Sequence, residues 1–179
     1  AGGPVTKIGL RKAFGVTAAG SGTIMDTPVN TTNVSATITY VITPFVGACS
    51  GTSVNYVVTV RPKPDVMASD QNICSGQSTS IVITNPNGVS GTTFSWSVQS
   101  NTNVNGTVAG TGNSINQVLT SADAVTTGTV VYRITPTSGG CAGDPLDVTV
   151  TVTPVPAITN NASDFSKQIC SNETLNFLP

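Results

Sequence analysis

The 179-residue chain contains no histidine and a single glutamate, Glu173. Histidine is the usual proton carrier near neutral pH and a frequent zinc ligand. Without it, and without clustered carboxylates, no catalytic constellation can be assembled from the sequence, and no enzyme activity or cofactor is expected. Leucine is also scarce, at five residues. Leucine and glutamate favour helices, so their near-absence argues against them. Charged residues make up 8% of the chain, at a net charge of −1, where globular domains average about 25%. Nucleic-acid binding needs a basic stripe. The only basic cluster, Lys7, Arg11 and Lys12, reads as a solvated edge, so no nucleic-acid partner is expected. No apolar run approaches the roughly 18 residues of a membrane span. The opening Ala1-Gly2-Gly3-Pro4 lacks a signal-peptide layout, so a secretion signal is expected upstream in a longer precursor.

What is abundant points one way. There are 29 Thr, 24 Val, 18 Ser and 15 Asn, with 18 Gly and 11 Pro. Thr and Val are stiff at Cβ and favour strands, while Gly and Pro supply turns. The composition predicts an all-β protein. A surface of Thr, Ser and Asn in place of Lys and Glu suggests an extracellular setting.

The chain also repeats itself. Val41-Ile-Thr-Pro44 with Gly47-Ala-Cys-Ser-Gly51 returns as Arg133-Ile-Thr-Pro136 with Gly139-Gly-Cys-Ala-Gly143, at a shift of 92 residues. Val58-Thr-Val60 followed by Pro62 and Pro64 returns at the same shift as Val150-Thr-Val152 followed by Pro154 and Pro156. Ile73-Cys-Ser-Gly76 returns as Ile169-Cys-Ser-Asn172, shifted by 96. A period this long is a whole small domain. The expected organisation is the C-terminal part of a first repeat over 1–64, a complete repeat over 65–156 and the start of a third over 157–179. Each Pro-x-Pro element should end a sheet and pass the chain on as a stiff joint.

Within the complete repeat, strands are predicted over Ser80–Thr84, Thr92–Val98, Asn103–Val108, Ser114–Leu119, Thr129–Ile134 and Asp147–Thr153. Their alternation turns Phe94, Trp96 and Val98, then Val130, Tyr132 and Ile134, then Val148, Val150 and Val152 inward. Six or seven short strands in about 92 residues describe a Greek-key β-sandwich with Phe94, Trp96, Tyr132 and Val150 in its core. The first repeat supplies only Thr37–Ile42 and Asn55–Val60 at matching positions, and should expose an apolar sheet face by itself.

Several residues invite a chemical reading. Asp144 and Asp147 lie three residues apart, but calcium needs six or more oxygens, so they are read as turn residues, with no metal site. No serine lies in a Gly-x-Ser-x-Gly elbow. Trp96 could stack on a sugar, yet it shares a face with Phe94 and Val98 and is assigned to the core. Asn30, Asn33, Asn105, Asn161 and Asn172 fit the Asn-x-Ser/Thr pattern, which arises by chance in a chain of this composition. The four cysteines lack zinc-site spacing and read as disulfide formers. A Cys74–Cys141 bridge would keep each repeat self-contained and would enclose 67 residues, with Cys49 and Cys170 pairing outside the chain. It would be worth about 4 kcal/mol. It requires a short first strand, because a full-length one would put the two at opposite ends. Cys49–Cys74 and Cys141–Cys170 are the alternative pairings.

Phe94-Ser-Trp-Ser-Val98, with Ile73-Cys-Ser-Gly76 before it and Tyr132-Arg-Ile-Thr-Pro136 and Gly140-Cys-Ala-Gly143 after it, resembles the PKD-like immunoglobulin-type repeats. These occur in very large cell-surface adhesins of Bacteroidota, including gliding-motility adhesins. The resemblance covers about residues 35–172. It implies tandem immunoglobulin-like sandwiches, secretion through the type IX pathway, and a non-catalytic role in adhesion or motility at the cell surface. The partners implied are neighbouring repeats and a surface receptor or glycan. Ser97-Val-Gln99 replaces the acidic Gly-Asp-Gly that follows the tryptophan in a typical module, so calcium binding does not carry over. Two other readings stay open: a module whose loops bind a glycan or protein, and a subunit that polymerises by strand exchange.

Overall fold

The computed structural model describes residues 24–157 and 168–174. Lys7, Arg11, Lys12 and Asn161 lie outside the described residues. The described chain begins with β1 (Ala36–Ile42), β2 (Phe45–Val46), β3 (Cys49–Ser50) and β4 (Val54–Val60). β5 (Gln71–Cys74), β6 (Ile81–Val82), β7 (Thr93–Thr102), β8 (Val104–Asn105) and β9 (Gly110–Thr111) follow. Then come β10 (Ser114–Ile115), β11 (Thr120–Ser121), β12 (Gly128–Ser138), β13 (Cys141–Ala142) and β14 (Leu146–Thr153). There is no helix among the described residues, hence none long and apolar enough to cross a membrane.

Residues 65–156 form a two-layer sandwich. One layer runs β5-β14-β12-β7-β9, with β13 folded back on β12. All its pairings are antiparallel except β5 with β14, where Gln71 to Cys74 lie opposite Val150 to Thr153 in parallel. The facing layer is an antiparallel pairing of residues 76–84 with 113–119. It is carried by β6 and β10, by the Ser78–Val118 bridge, and by amide bonds from Gly76 to Leu119, Thr79 to Gln117 and Ile83 to Asn113. β8 pairs with β11 on one side, and Met67 bridges to Thr84 on the other. The chain therefore starts in the second layer at Met67 and crosses to the first at β5. Asp70 fixes the crossing by accepting the Thr149 amide at 2.7 Å.

The alternating strands close the core. Tyr132, Ile134, Val130 and Val150 are 0% exposed, as are Ile115 and Leu119 from the opposite layer. Phe94 and Trp96 join the same cluster. Each such side chain contributes about 1.5–3 kcal/mol by leaving water. The Trp96 indole N–H donates to the Val108 carbonyl at 3.2 Å, and β9 crosses its benzo ring at Gly110. A Cβ on Gly110 would lie 2.5 Å from Trp96 Cζ2, so the close approach of strand to ring requires glycine. The Tyr132 hydroxyl donates to Gln117 Oε1 at 2.7 Å and ties the two layers together. Burial pushes its pKa up to about 12.

The strand expectations hold in outline and fail at the edges. The strand expected at Thr92–Val98 runs to Thr102, and the one expected at Thr129–Ile134 runs to Ser138. The strand expected over Asn103–Val108 is only Val104–Asn105. There Asn103 has φ 59 and Gly106 φ 89, which turn the backbone out of the extended region.

The repeat is visible atom by atom. β1 pairs with β4 so that Ile42 faces Val54, as Ile134 faces Leu146 at a shift of 92 residues. Val46 faces Cys49 as Ser138 faces Cys141. The Gly51 amide donates to the Pro44 carbonyl at 2.8 Å, and Gly143 does the same to Pro136. A Cβ at either glycine would press into that proline ring, which explains the fixed Pro-to-Gly spacing. At the shift of 96, Cys74 N donates to Gln77 Oε1 (3.1 Å) and Cys170 N to Glu173 Oε2 (2.9 Å). Gly76 and Asn172 occupy the same left-handed position, φ 88 and φ 74. In the leading β1–β4 unit, Tyr56 is 59% exposed where its counterpart Val148 is 1% exposed.

The expected Cys74–Cys141 bridge is not formed; all four cysteines are free. β5 is short, but it runs parallel to β14 and ends beside Thr153. Cys141 lies beyond the other end of β14. The length of β14 alone separates them by more than about 20 Å, where a disulfide needs Cα atoms within about 7 Å.

Candidate functional site

Each carboxylate of the described residues already has a structural partner. Asp144 pairs with Lys63 at 2.5 Å, and Asp147 takes a two-point bond from Arg133 at 2.8 and 2.7 Å. That bond holds the Asp147 carboxyl below its ordinary range and raises Arg133. Asp123 accepts the Thr126 and Val125 amides, at 2.5 and 2.8 Å, which lower its pKa. Asp65 accepts the Asn87 amide, Asp70 that of Thr149, Glu173 that of Cys170, and Asp26 the Tyr40 hydroxyl. The Asp144 and Asp147 side chains are thus drawn to different cations. No group of three or more potential metal ligands gathers among the described residues. Trp96, 9% exposed and hydrogen-bonded, offers no stacking face.

What the residues do build is a joint. The chain leaves β4 at Val60 and reaches the sandwich through Arg61-Pro62-Lys63-Pro64, with both prolines buried. Arg61 donates to the Gly139 carbonyl in the hairpin between β12 and β13. Lys63 contributes its ion pair with Asp144, and its carbonyl accepts Asn87 Nδ2 at 2.9 Å. Gly143 lies against the Pro64 carbonyl, where no Cβ could fit. A cleft of about 320 Å³ between Asn33, Val34, Arg61, Val89 and Ser138 marks where the leading unit meets the sandwich. The joint residues Arg61, Asn87 and Asp144 were not singled out as partners by the sequence. Only the Pro-x-Pro element and the Gly-x-Cys-x-Gly motif hinted at them.

A joint between β units, entered at one pole of a Greek-key sandwich, defines the class as an immunoglobulin-like module linked in series. Residues 12–64 and 71–156 both match the PKD-like domain family. The chain therefore belongs to that family, whose modules are of a kind usually extracellular and non-catalytic. No curated protein matches it.

Proposed function

We propose that the chain is part of the structural and adhesive stalk of a large secreted bacterial cell-surface adhesin, made of tandem PKD-like repeats and without catalytic activity. The repeats divide as 1–64, 65–156 and 157–179. Secretion through the type IX pathway and a part in gliding belong to the same reading. The observation that carries it is the joint. The chain reaches the sandwich at the pole that holds Gly139 and Asp144, and leaves it at the opposite pole, past Thr153. Repeats linked this way add length instead of folding back. The buried prolines and the backbone contacts of Asn87 and Gly143 limit bending. Small-angle scattering on a chain of three or more repeats tests it: the maximum dimension should grow linearly with repeat number. A compact particle would refute the stalk.

A second reading, assembly of copies by strand exchange, is favoured by the exposed Tyr56 of β4. A concentration-dependent mass in solution would support it over the first.

A further inference from the structure

We propose that consecutive repeats are stapled covalently. A disulfide joins the cysteine at the end of β5 in one repeat to the hairpin cysteine in the next. This rests on the tandem reading above.

The cysteines occupy two structural positions, each seen twice. Cys49 and Cys141 sit in equivalent hairpins, opposite Val46 and Ser138. Cys74 and Cys170 sit in equivalent turns, each closed by a side chain three residues on. In the complete repeat these positions are at opposite poles. Cys141 is at the leading pole, two residues from Gly139, which accepts Arg61 of the preceding unit. Cys74 is at the trailing pole, opposite Thr153, and the Ser75 amide donates to the Thr153 carbonyl at 2.8 Å.

The joint at Arg61 shows what each pole meets. Thr153 is the counterpart of Arg61 at the shift of 92 residues. The Arg61 guanidinium reaches the hairpin of the following repeat, so the end of the last strand, with the β5 cysteine beside it, is turned toward that joint. The end of the last strand, beside the β5 cysteine, and Cys141, two residues from Gly139, thus face the same joint from its two sides. A second observation agrees. Cys49 is exposed, whereas its equivalent Cys141 is partly covered, and Cys141 is the one with a unit docked at its hairpin. The described residues contain one member of each such pair.

The staple forms by thiol–disulfide exchange. The β5 thiolate attacks one sulfur of an oxidised donor, a protein disulfide or oxidised glutathione, and releases one donor thiolate. The hairpin thiolate then displaces the second. Two thiols lose two protons and two electrons, and the donor leaves as two thiols.

The test extends the chain in phase: residues 1–156 followed directly by a second copy of 65–156, with Thr153→Arg and Val155→Lys so that the new junction repeats Arg61-Pro62-Lys63-Pro64 before Asp65. The sandwich has its own core, which no cysteine joins. One version keeps only Cys74 of the first sandwich and Cys141 of the second, the others being changed to Ser. A control keeps only Cys141 of the first and Cys74 of the second. After oxidised glutathione, the first version should yield one Cys74–Cys141 cross-copy peptide without bound glutathione; the control should yield no such peptide, its thiols free or singly capped by glutathione. Absence of the cross-copy peptide in the first version, with the fold retained by circular dichroism, would overturn the staple, as would bridging in the control. Scattering on the same samples separates the two ideas, since a rod without the cross-copy bridge keeps the stalk and removes the staple.

Discussion

The contact between Gly110 and Trp96 gives the sharpest test of the core. Replacing Gly110 with Ala puts a methyl 2.5 Å from Cζ2, 2.9 Å from Cε2 and 3.2 Å from Cη2 of the indole. None of these atoms is the end of a flexible chain. The ring is fixed by the Val108 carbonyl and by Ile134, its partner across β12. Overpacking of this kind costs about 1–3 kcal/mol. Trp96→Ala removes the ring altogether and should cost about 3–5 kcal/mol, as large core truncations do. A domain the size of 65–156 has about 5–14 kcal/mol to lose. The informative variant is the pair. In a Trp96→Phe background the benzo ring is gone, and the Gly110→Ala methyl enters the space it leaves. The second substitution should then be neutral or slightly stabilising, so the two should couple by about 1–3 kcal/mol. Urea unfolding followed by circular dichroism measures all four corners of the cycle, because fluorescence vanishes with the only tryptophan. Additive effects, or a Gly110→Ala variant as stable as the parent, would show that β9 does not lie on the indole.

Gly143→Val should loosen the joint by driving a side chain into the Pro64 carbonyl and the Pro136 ring; scattering should then show a broader range of inter-unit angles. Lys63→Ala breaks an ion pair whose side chains are 55% and 89% exposed, so melting should change by less than about 1 kcal/mol. Tyr132 has its folded pKa raised to about 12, so its contribution is complete below the unfolded value near 10 and is lost as pH rises toward 12. Tyr132→Phe should remove that alkaline loss in pH-dependent melts. Asp147 and Asp123 have folded values below the ordinary 3.8, so their contributions are present above it and are lost as pH falls through the lower values. Asp147→Asn should flatten the acid limb of the melting curve.

How much of this was legible in the sequence depended on the range of each interaction. The alternation of Val148, Val150 and Val152 is local, and β14 could be read from it almost to the residue. The inward faces of β7 and β12 were equally plain, so Phe94, Trp96, Tyr132 and Val150 could be named in advance. β5 could not. Gln71–Cys74 has little apolar pattern, and it is a strand because β14 offers it a free edge and Asp70 secures the crossing. That one missed strand carried the error about Cys74, since its parallel direction sets the pole at which the sulfur emerges. The joint was half visible. Pro62 and Pro64 marked its place, but Asn87 reaches the joint through Lys63 and Asp65, and Gly143 through Pro64, all more than 20 residues away in the chain.

The parallel direction of β5 also bears on how a stalk would carry load. Tension would enter at Pro64, at the leading pole, and leave at Pro154, at the trailing pole. It would pull β5 and β14 past one another along their length. Evenly spaced parallel bonds then share the load, instead of opening one at a time as in a peeled hairpin. The rungs run from Gln71–Val150 to Cys74–Thr153, and the Asp70 bond to the Thr149 amide adds one more at the loaded end. Asp70→Ala removes that bond. It is solvent-exposed, so it should be worth about 1 kcal/mol, below the roughly 1.5–3 kcal/mol of hydrogen bonds to charged groups. If it breaks before the transition state for forced unfolding, the unfolding rate under constant load should rise about fivefold. Asp144→Ala removes a contact outside the sheared patch and should leave the sandwich's own unfolding rate unchanged. Single-molecule force-clamp measurements on a chain of identical repeats distinguish the two. Equal rates for Asp70→Ala and Asp144→Ala would mean that the β5–β14 edge does not carry the force.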